Sequence, residues 1–270
     1  MNLPSEDLES GGFSHIGPVR EENQDSICWA EDIADTGGSL FAVADGMGGY
    51  NNGKLASSLA LENVFGVFKE RPGSADQQLK RGIASANLAI YQATQRLGAG
   101  RMGTTLTAAH LLGSHLTIGH VGDSRAYLLR DGQVTCLTRD HTVVGDMVRM
   151  RVLSPDKVRT HAQRSVLTRG LGLNPFVTPD ITHHVVREGD ALVLCSDGLW
   201  SVIEDEELPQ LNHEASGVSA LLNRLVFLAI ERGTDDNVSA VSVRIHCLKP
   251  APAGEKQGGW QWFRSLVHPS

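Results

Sequence analysis

The stretch "LFAVADGMGG", residues 40–49, begins as an apolar run and ends in an acid followed by glycines. Residues 40–44 lack polar alternation, which predicts a strand buried on both faces. Asp45 then stands at the strand's end, and no partner strand follows it. The same arrangement returns at Asp197, after the apolar run "ALVLCS". Asp123 in "HVGDSR" follows the run "LTIGHV", and Asp236 in "GTDDNVSA" precedes the strand "VSAVSVRI". Asp-Gly occurs three times, at 45–46, 131–132 and 197–198. The middle pair lies between balanced strands and needs only a hairpin turn to explain it. Any one of the others is equally explained by the turn preference of Asp and Gly. Four carboxylates at the rim of a β core, taken together, point to a hard divalent cation such as Mg2+ or Mn2+, which binds oxygen ligands and retains water. The Gly46 carbonyl is a candidate ligand too, because glycine lets backbone approach closely.

Outward from this stretch, the pattern changes to helical spacing. Ala56, Leu59, Ala60, Val64 and Val67 form one stripe; Leu79, Ile83, Ala86, Ile90, Ala93 and Leu97 form a second, ended by Gly98. From Thr104 to Thr138, short apolar runs predict an antiparallel meander. Residues 141–165 are polar and weakly periodic, which suggests a short helix and a mobile flap. After the strands "ITHHVV" and "ALVLCS", a last amphipathic helix carries Val218, Leu221, Leu222, Leu225, Leu228 and Ala229 and stops at Gly233. Strands and helices without strict alternation predict an α+β fold with helices outside antiparallel sheets. The expected organisation is an extension at 1–10, one domain at 11–248, and a linker with an aromatic tail at 249–270. In that tail Trp260, Trp262, Phe263, Leu266 and Val267 either dock a partner or membrane or fold back on the domain.

The chain has 270 residues, 41% of them hydrophobic and 20% charged, with a formal net charge of -7. That balance, with no long basic run, disfavours nucleic acid as a partner and a two-metal nuclease as a reading. The acidic start and the lack of a spanning apolar segment predict a cytoplasmic protein with no transmembrane segment. Its four scattered cysteines offer neither a zinc cluster nor a disulfide framework.

The motifs "GPVREENQD" (17–25), "VADGMGG" (43–49), "GTTLTAAHL" (103–111), "HVGDSRAYLL" (120–129), "LTRDHT" (137–142), "LTRGLG" (167–172), "LCSDGLW" (194–200) and "TDDNVS" (234–239) occur in this order. Together they resemble the metal-dependent protein phosphatases of the PPM, or type 2C, family, most closely its bacterial members, over residues 11 to 246. The resemblance implies a β-sandwich of two antiparallel sheets flanked by helices, with two Mn2+ or Mg2+ ions in a cleft at one end. Asp45 would bridge both ions. Asp197 and Asp236 would complete one, Gly46 would help the other, and Asp123 would contribute to a third. Arg20 would grip the substrate phosphate with paired donors. Thr234 and Asn237 would hold Asp236, and Asp25 would orient metal-bound water. Hydroxide generated between the ions would attack the phosphorus of phosphoserine or phosphothreonine in line. The implied partners are phosphorylated proteins and an opposing serine/threonine kinase, with the enzyme a monomer. The alternative is a catalytically weak module that binds phosphoproteins.

Two positions depart from the animal members. Gln24 replaces a glutamate, which implies weaker binding of the second ion. Met47 replaces a histidine that could protonate the leaving oxygen, and a thioether cannot do so. A metal-bound water is then the candidate acid, ahead of a solvent-facing His141, for which a structural hydrogen bond is the favoured role.

Overall fold

The computed structural model describes residues 7–33, 38–49, 52–70, 73–97 and 101–248. Gly98 and the tail from 249 onward lie outside the described residues. Two antiparallel sheets stack face to face, with helices on both outer faces.

One sheet contains β2 (Asp25–Ile33), β3 (Gly38–Met47), β4 (Gly103–Thr104), β5 (Leu106–Leu112), β6 (His115–Val121) and β9 (Asp180–Val185), ordered β2-β3-β5-β6-β9 with β4 paired to β3. The other runs β1 (Leu8–His15), β11 (Val238–Ile245), β10 (Ala191–Cys195), β7 (Arg125–Arg130) and β8 (Gln133–Cys136). Phe41, Val43, Ile118, Leu128, Leu194 and Val241 fill the space between the sheets. Successive residues of β3 face opposite ways, so Leu40, Ala42 and Ala44 pack on the helical side instead. This double burial explains the unbroken apolar run.

On that side lie α1 (Asn52–Glu70) and α2 (Ala75–Leu97), whose Ala56, Ala60, Val64, Ile83, Ala86 and Ile90 are fully buried. Leu97 is exposed, so the buried stripe of α2 ends at Ala93. Helix α3 (Val143–Arg149) opens the flap, with the Thr142 hydroxyl accepting from Gly145 N. Short helices α4 (Asp197–Trp200) and α5 (Leu208–Glu214) precede α6 (Val218–Glu231), which covers the second sheet with Leu221, Leu222, Leu225 and Ala229. Gly233, at φ +79°, gives α6 the left-handed exit expected of it.

Two expectations are adjusted. Strand β1 starts at Leu8, inside the stretch read as an extension, and pairs with β11 from Leu8↔Ile245 to His15↔Val238. The meander is divided: β5 and β6 pair in one sheet, while β7 and β8 pair in the other. The chain crosses between sheets at Gly122-Asp123-Ser124, where Gly122 has φ +109° and a Cβ there would stand 2.6 Å from Thr105. The crossing loop therefore carries one of the four rim acids. The β7–β8 hairpin itself turns on Asp131 and Gly132, both at positive φ, as its sequence predicts.

Candidate active site

The rim acids converge at one end of the sandwich because each ends or begins a strand there. Asp25 and Asp45 are direct register partners on β2 and β3. Asp197 is the first residue of α4, immediately after β10, and Asp236 lies just before β11. Asp45, Gly46, Asp123, Asp197 and Asp236 line one cleft of about 1100 Å³, together with Arg20, Gln24 and Met47.

The scaffold fixes these groups through backbone hydrogen bonds. Thr105 Oγ1 accepts from Asp45 N at 2.9 Å, and Thr104 Oγ1 donates to the Asp45 carbonyl at 2.8 Å. Ser196 Oγ donates to Asp25 Oδ2 at 2.8 Å. Trp200 Nε1 donates to the Asp123 carbonyl at 2.9 Å, beneath the Arg125 guanidinium. Asn237 N donates to Asp236 Oδ1 at 2.8 Å, while its side chain bonds Gln24 N and the carbonyls of Ile16 and Glu22. Thr234 Oγ1 accepts from Asp236 N at 3.4 Å. Asn237 thus ties the loop bearing Arg20 and Gln24 to the strand bearing Asp236. Gly46 packs so tightly that a Cβ would lie 2.1 Å from the Gly53 carbonyl oxygen.

Electrostatically the acids oppose one another. Burial first, then repulsion from Asp25, Asp197, Asp123 and Asp236, holds the Asp45 carboxyl well above the usual range. Burial, followed by Asp236 and Asp25, raises Asp197 to about 7. Burial raises Asp25 to about 6, against hydrogen bonds from Ser239 and Ser196. Asp123 is raised by burial and then by Asp197. Asp25 Oδ1 and Asp197 Oδ1 are buried without a hydrogen-bond partner. Unpartnered carboxylate oxygens and mutual repulsion are what a hard divalent cation relieves, so this oxygen-rich donor set suits Mg2+ or Mn2+. Among the described residues no three His, Cys, Asp or Glu side chains form a group that could hold an ion unaided. Ions here would complete their coordination with water, as these cations commonly do.

Arg20 lies at the cleft mouth, its Nη2 on Asp236 Oδ2 at 2.7 Å and its Nε on the Asp235 carbonyl at 3.1 Å. Gln24 Nε2 donates to Glu22 and to the Gly48 carbonyl. His141 is corrected: it is 2% exposed, its Nδ1 accepts from Gly122 N and its Nε2 lies 3.3 Å from Asp180. It braces the crossing loop and does not face solvent. Ser196, Thr104, Thr105 and Trp200 were absent from the sequence-based site, although all four lie within or beside its motifs. A further side chain, Lys54, places Nζ on the Asp25 carbonyl and Ser26.

Residues 12–227 match the family model described as "Protein phosphatase 2C". The chain is 37% identical over 236 residues to the serine/threonine protein phosphatase PstP of Mycobacterium tuberculosis, covering 87% of this chain and 44% of that protein. It therefore spans less than half the length of that relative. A crystal structure of the M. tuberculosis PstP matches with TM-score 0.80 at 34% identity, over 89% of this chain and 99% of that one. A PstP catalytic domain described in complex with two manganese ions matches with TM-score 0.78 at 33% identity, over 89% and 99% respectively. Helix-flanked antiparallel sheets, strand-end acids and a family match across most of the sequence agree: the chain belongs to the protein phosphatase 2C family.

Proposed function

We propose that this chain hydrolyses phosphoserine and phosphothreonine in proteins with the help of two Mn2+ or Mg2+ ions, opposing a serine/threonine kinase in the cytoplasm. The observation that carries this reading is the set of strand-end carboxylates with unpartnered buried oxygens, beside an arginine at the cleft mouth.

Asp45, Asp197 and Asp236, with the Gly46 carbonyl, would hold the ions, Asp123 a third, and Asp25 would orient water from beneath. When bound, such ions lower the pKa of coordinated water towards neutrality and neutralise phosphoryl oxygens. The protein's own contribution is placement. β3 and α4 fix Asp45 and Asp197 on rigid elements, and the threonine pair beneath β3 locks the Asp45 backbone. Asn237 holds the Asp236 and Arg20 loops in one register. Arg20 offers a planar fork at the entrance, suited to two phosphate oxygens. No cysteine lines the cleft, so no thiolate nucleophile is at hand there. Met47 lines it and has no proton to donate; with His141 buried, the leaving oxygen takes its proton from water.

The test is turnover of p-nitrophenyl phosphate and of a phosphothreonine peptide with Mn2+, with Mg2+ and with EDTA. Hydrolysis of both that EDTA abolishes is the expected result. Silence on both in Mn2+, with retained phosphopeptide binding, would leave the binding-module alternative.

A further inference from the structure

The cleft is much larger than one phosphorylated side chain requires, and two cationic residues line it: Arg20 and Arg101. Arg20 is engaged with Asp235 and Asp236. Arg101 is exposed and makes no hydrogen bond or ion pair among the described residues. Among the described residues nothing pairs with this guanidinium, which leaves it available to a ligand in the cleft.

Its position follows from the ladder. β3 and β4 pair with Gly46 opposite Thr104 and Met47 opposite Gly103. Met47 stands two residues beyond Asp45 and Arg101 two residues before Gly103, so at most about four residues of extended chain separate Arg101 from the acids along this direction. At about 3.3 Å per residue, this bounds the separation along the strand direction at roughly 13 Å. An extended substrate covers the same distance in about four residues, and the length of the arginine side chain widens the window to about two to four. Leu173 and Met47, both lining the cleft, pack together around Gly170, and Leu173 also reaches Gly103.

We propose that Arg101 is a specificity-determining residue that favours substrates carrying a second anionic group, a carboxylate or another phosphate, about two to four residues from the scissile phosphate. This rests on the phosphatase reading above. A solvent-facing arginine pair of this kind supports about a two- to five-fold preference, expressed in KM because the contact is the same in the bound substrate and the transition state. A second phosphate, accepting from two guanidinium nitrogens, gives the larger end of that range.

The experiment uses the full chain with Mn2+ and phosphothreonine peptides in which one Glu, or one Gln, is walked from four residues before to four after the phosphothreonine. A doubly phosphorylated peptide forms a second arm. For wild type, Arg101→Ala and Arg101→Lys, the ratio of kcat/KM for Glu over Gln is compared within each variant. The wild-type ratio should reach about two to five at a position two to four residues away, fall to one in Arg101→Ala, and persist in reduced form in Arg101→Lys. A preference confined to the doubly phosphorylated arm and lost in Arg101→Ala also supports the proposal, with phosphate as the anion. A wild-type ratio of one in both arms, or a preference that survives Arg101→Ala, overturns it. Wild-type turnover separates the two readings: hydrolysis of p-nitrophenyl phosphate with a flat peptide ratio defeats the role of Arg101 alone, and silence on both p-nitrophenyl phosphate and the phosphothreonine peptides defeats the phosphatase assignment.

Discussion

Replacing Asp197 with asparagine should make the metal-free protein more stable while abolishing its response to metal. Asp197 is held at about 7 by burial, then by Asp236 and Asp25, against an ordinary value of 3.8. At about 1.4 kcal/mol per pH unit, ionising it in the folded state costs on the order of 4 kcal/mol. The neighbouring acids share that repulsion, so relief at one position should recover about 2 kcal/mol, or about 4–8 °C in Tm for a chain of this size. The folded protein keeps a proton that the unfolded chain releases above pH 3.8. Stability of the metal-free wild type therefore falls as pH rises from about 4 to about 7, and this slope should flatten in Asp197→Asn. The asparagine side-chain oxygen can still accept from the protonated Asp45 carboxyl, which preserves that contact. Thermal unfolding in EDTA at pH 5.5, 6.5 and 7.5, repeated with Mn2+, measures both effects. An Asp197→Asn protein that melts no higher than wild type in EDTA at pH 7.5, or that gains as much from Mn2+, would refute the reasoning.

Gly46→Ala should destabilise the fold by about 1–3 kcal/mol, since its Cβ would overlap the backbone oxygens of Gly53 and Gln24 at 2.1 and 2.6 Å. Gly49→Ala, with nothing within 4 Å, should stay within about 0.5 kcal/mol of wild type, and equal losses in urea unfolding would count against the cradle. Gln24→Glu should tighten Mn2+ binding by on the order of ten-fold in calorimetry, because it adds a carboxylate beside the acids. It also gives up the bond to the Gly48 carbonyl; an unchanged Kd would show that Gln24 does not set metal affinity. Arg20→Ala should lower kcat/KM on a phosphothreonine peptide by about ten- to a hundred-fold, the value of a charge-assisted hydrogen bond. Unaltered kinetics would remove Arg20 from the phosphate site.

Apolar runs that are buried on both faces were legible, as were helices whose stripes follow a 3.6-residue period. Strands β3, β10 and β11 and helices α1, α2 and α6 belong to that class. Strand β1, "LESGGFSH", was not, because two glycines and half-buried side chains give it little β character of its own. It forms through its register with β11. The division of the meander between sheets was equally hidden, since hairpin signals are local while the sheet that a strand joins is decided by packing. At the site, the acids announced themselves by standing at strand ends. The hydroxyls and the indole that hold them did not, for Ser196, Thr105 and Trp200 act through backbone or buried atoms brought together over long sequence separations. His141 is a mixed case: the structural hydrogen bond favoured for it in "TRDHT" is present, its Nδ1 accepting from Gly122 N, whereas the exposure expected of it is not, because the loop folds it inward.

The central claim, that the strand-end acids cage a pair of divalent cations, is tested most directly by anomalous diffraction from crystals grown in Mn2+. The account predicts two strong manganese peaks in the cleft, bounded by the carboxylates of Asp45, Asp197 and Asp236 and the carbonyl of Gly46. A well-ordered cleft with no anomalous density between those groups would contradict it.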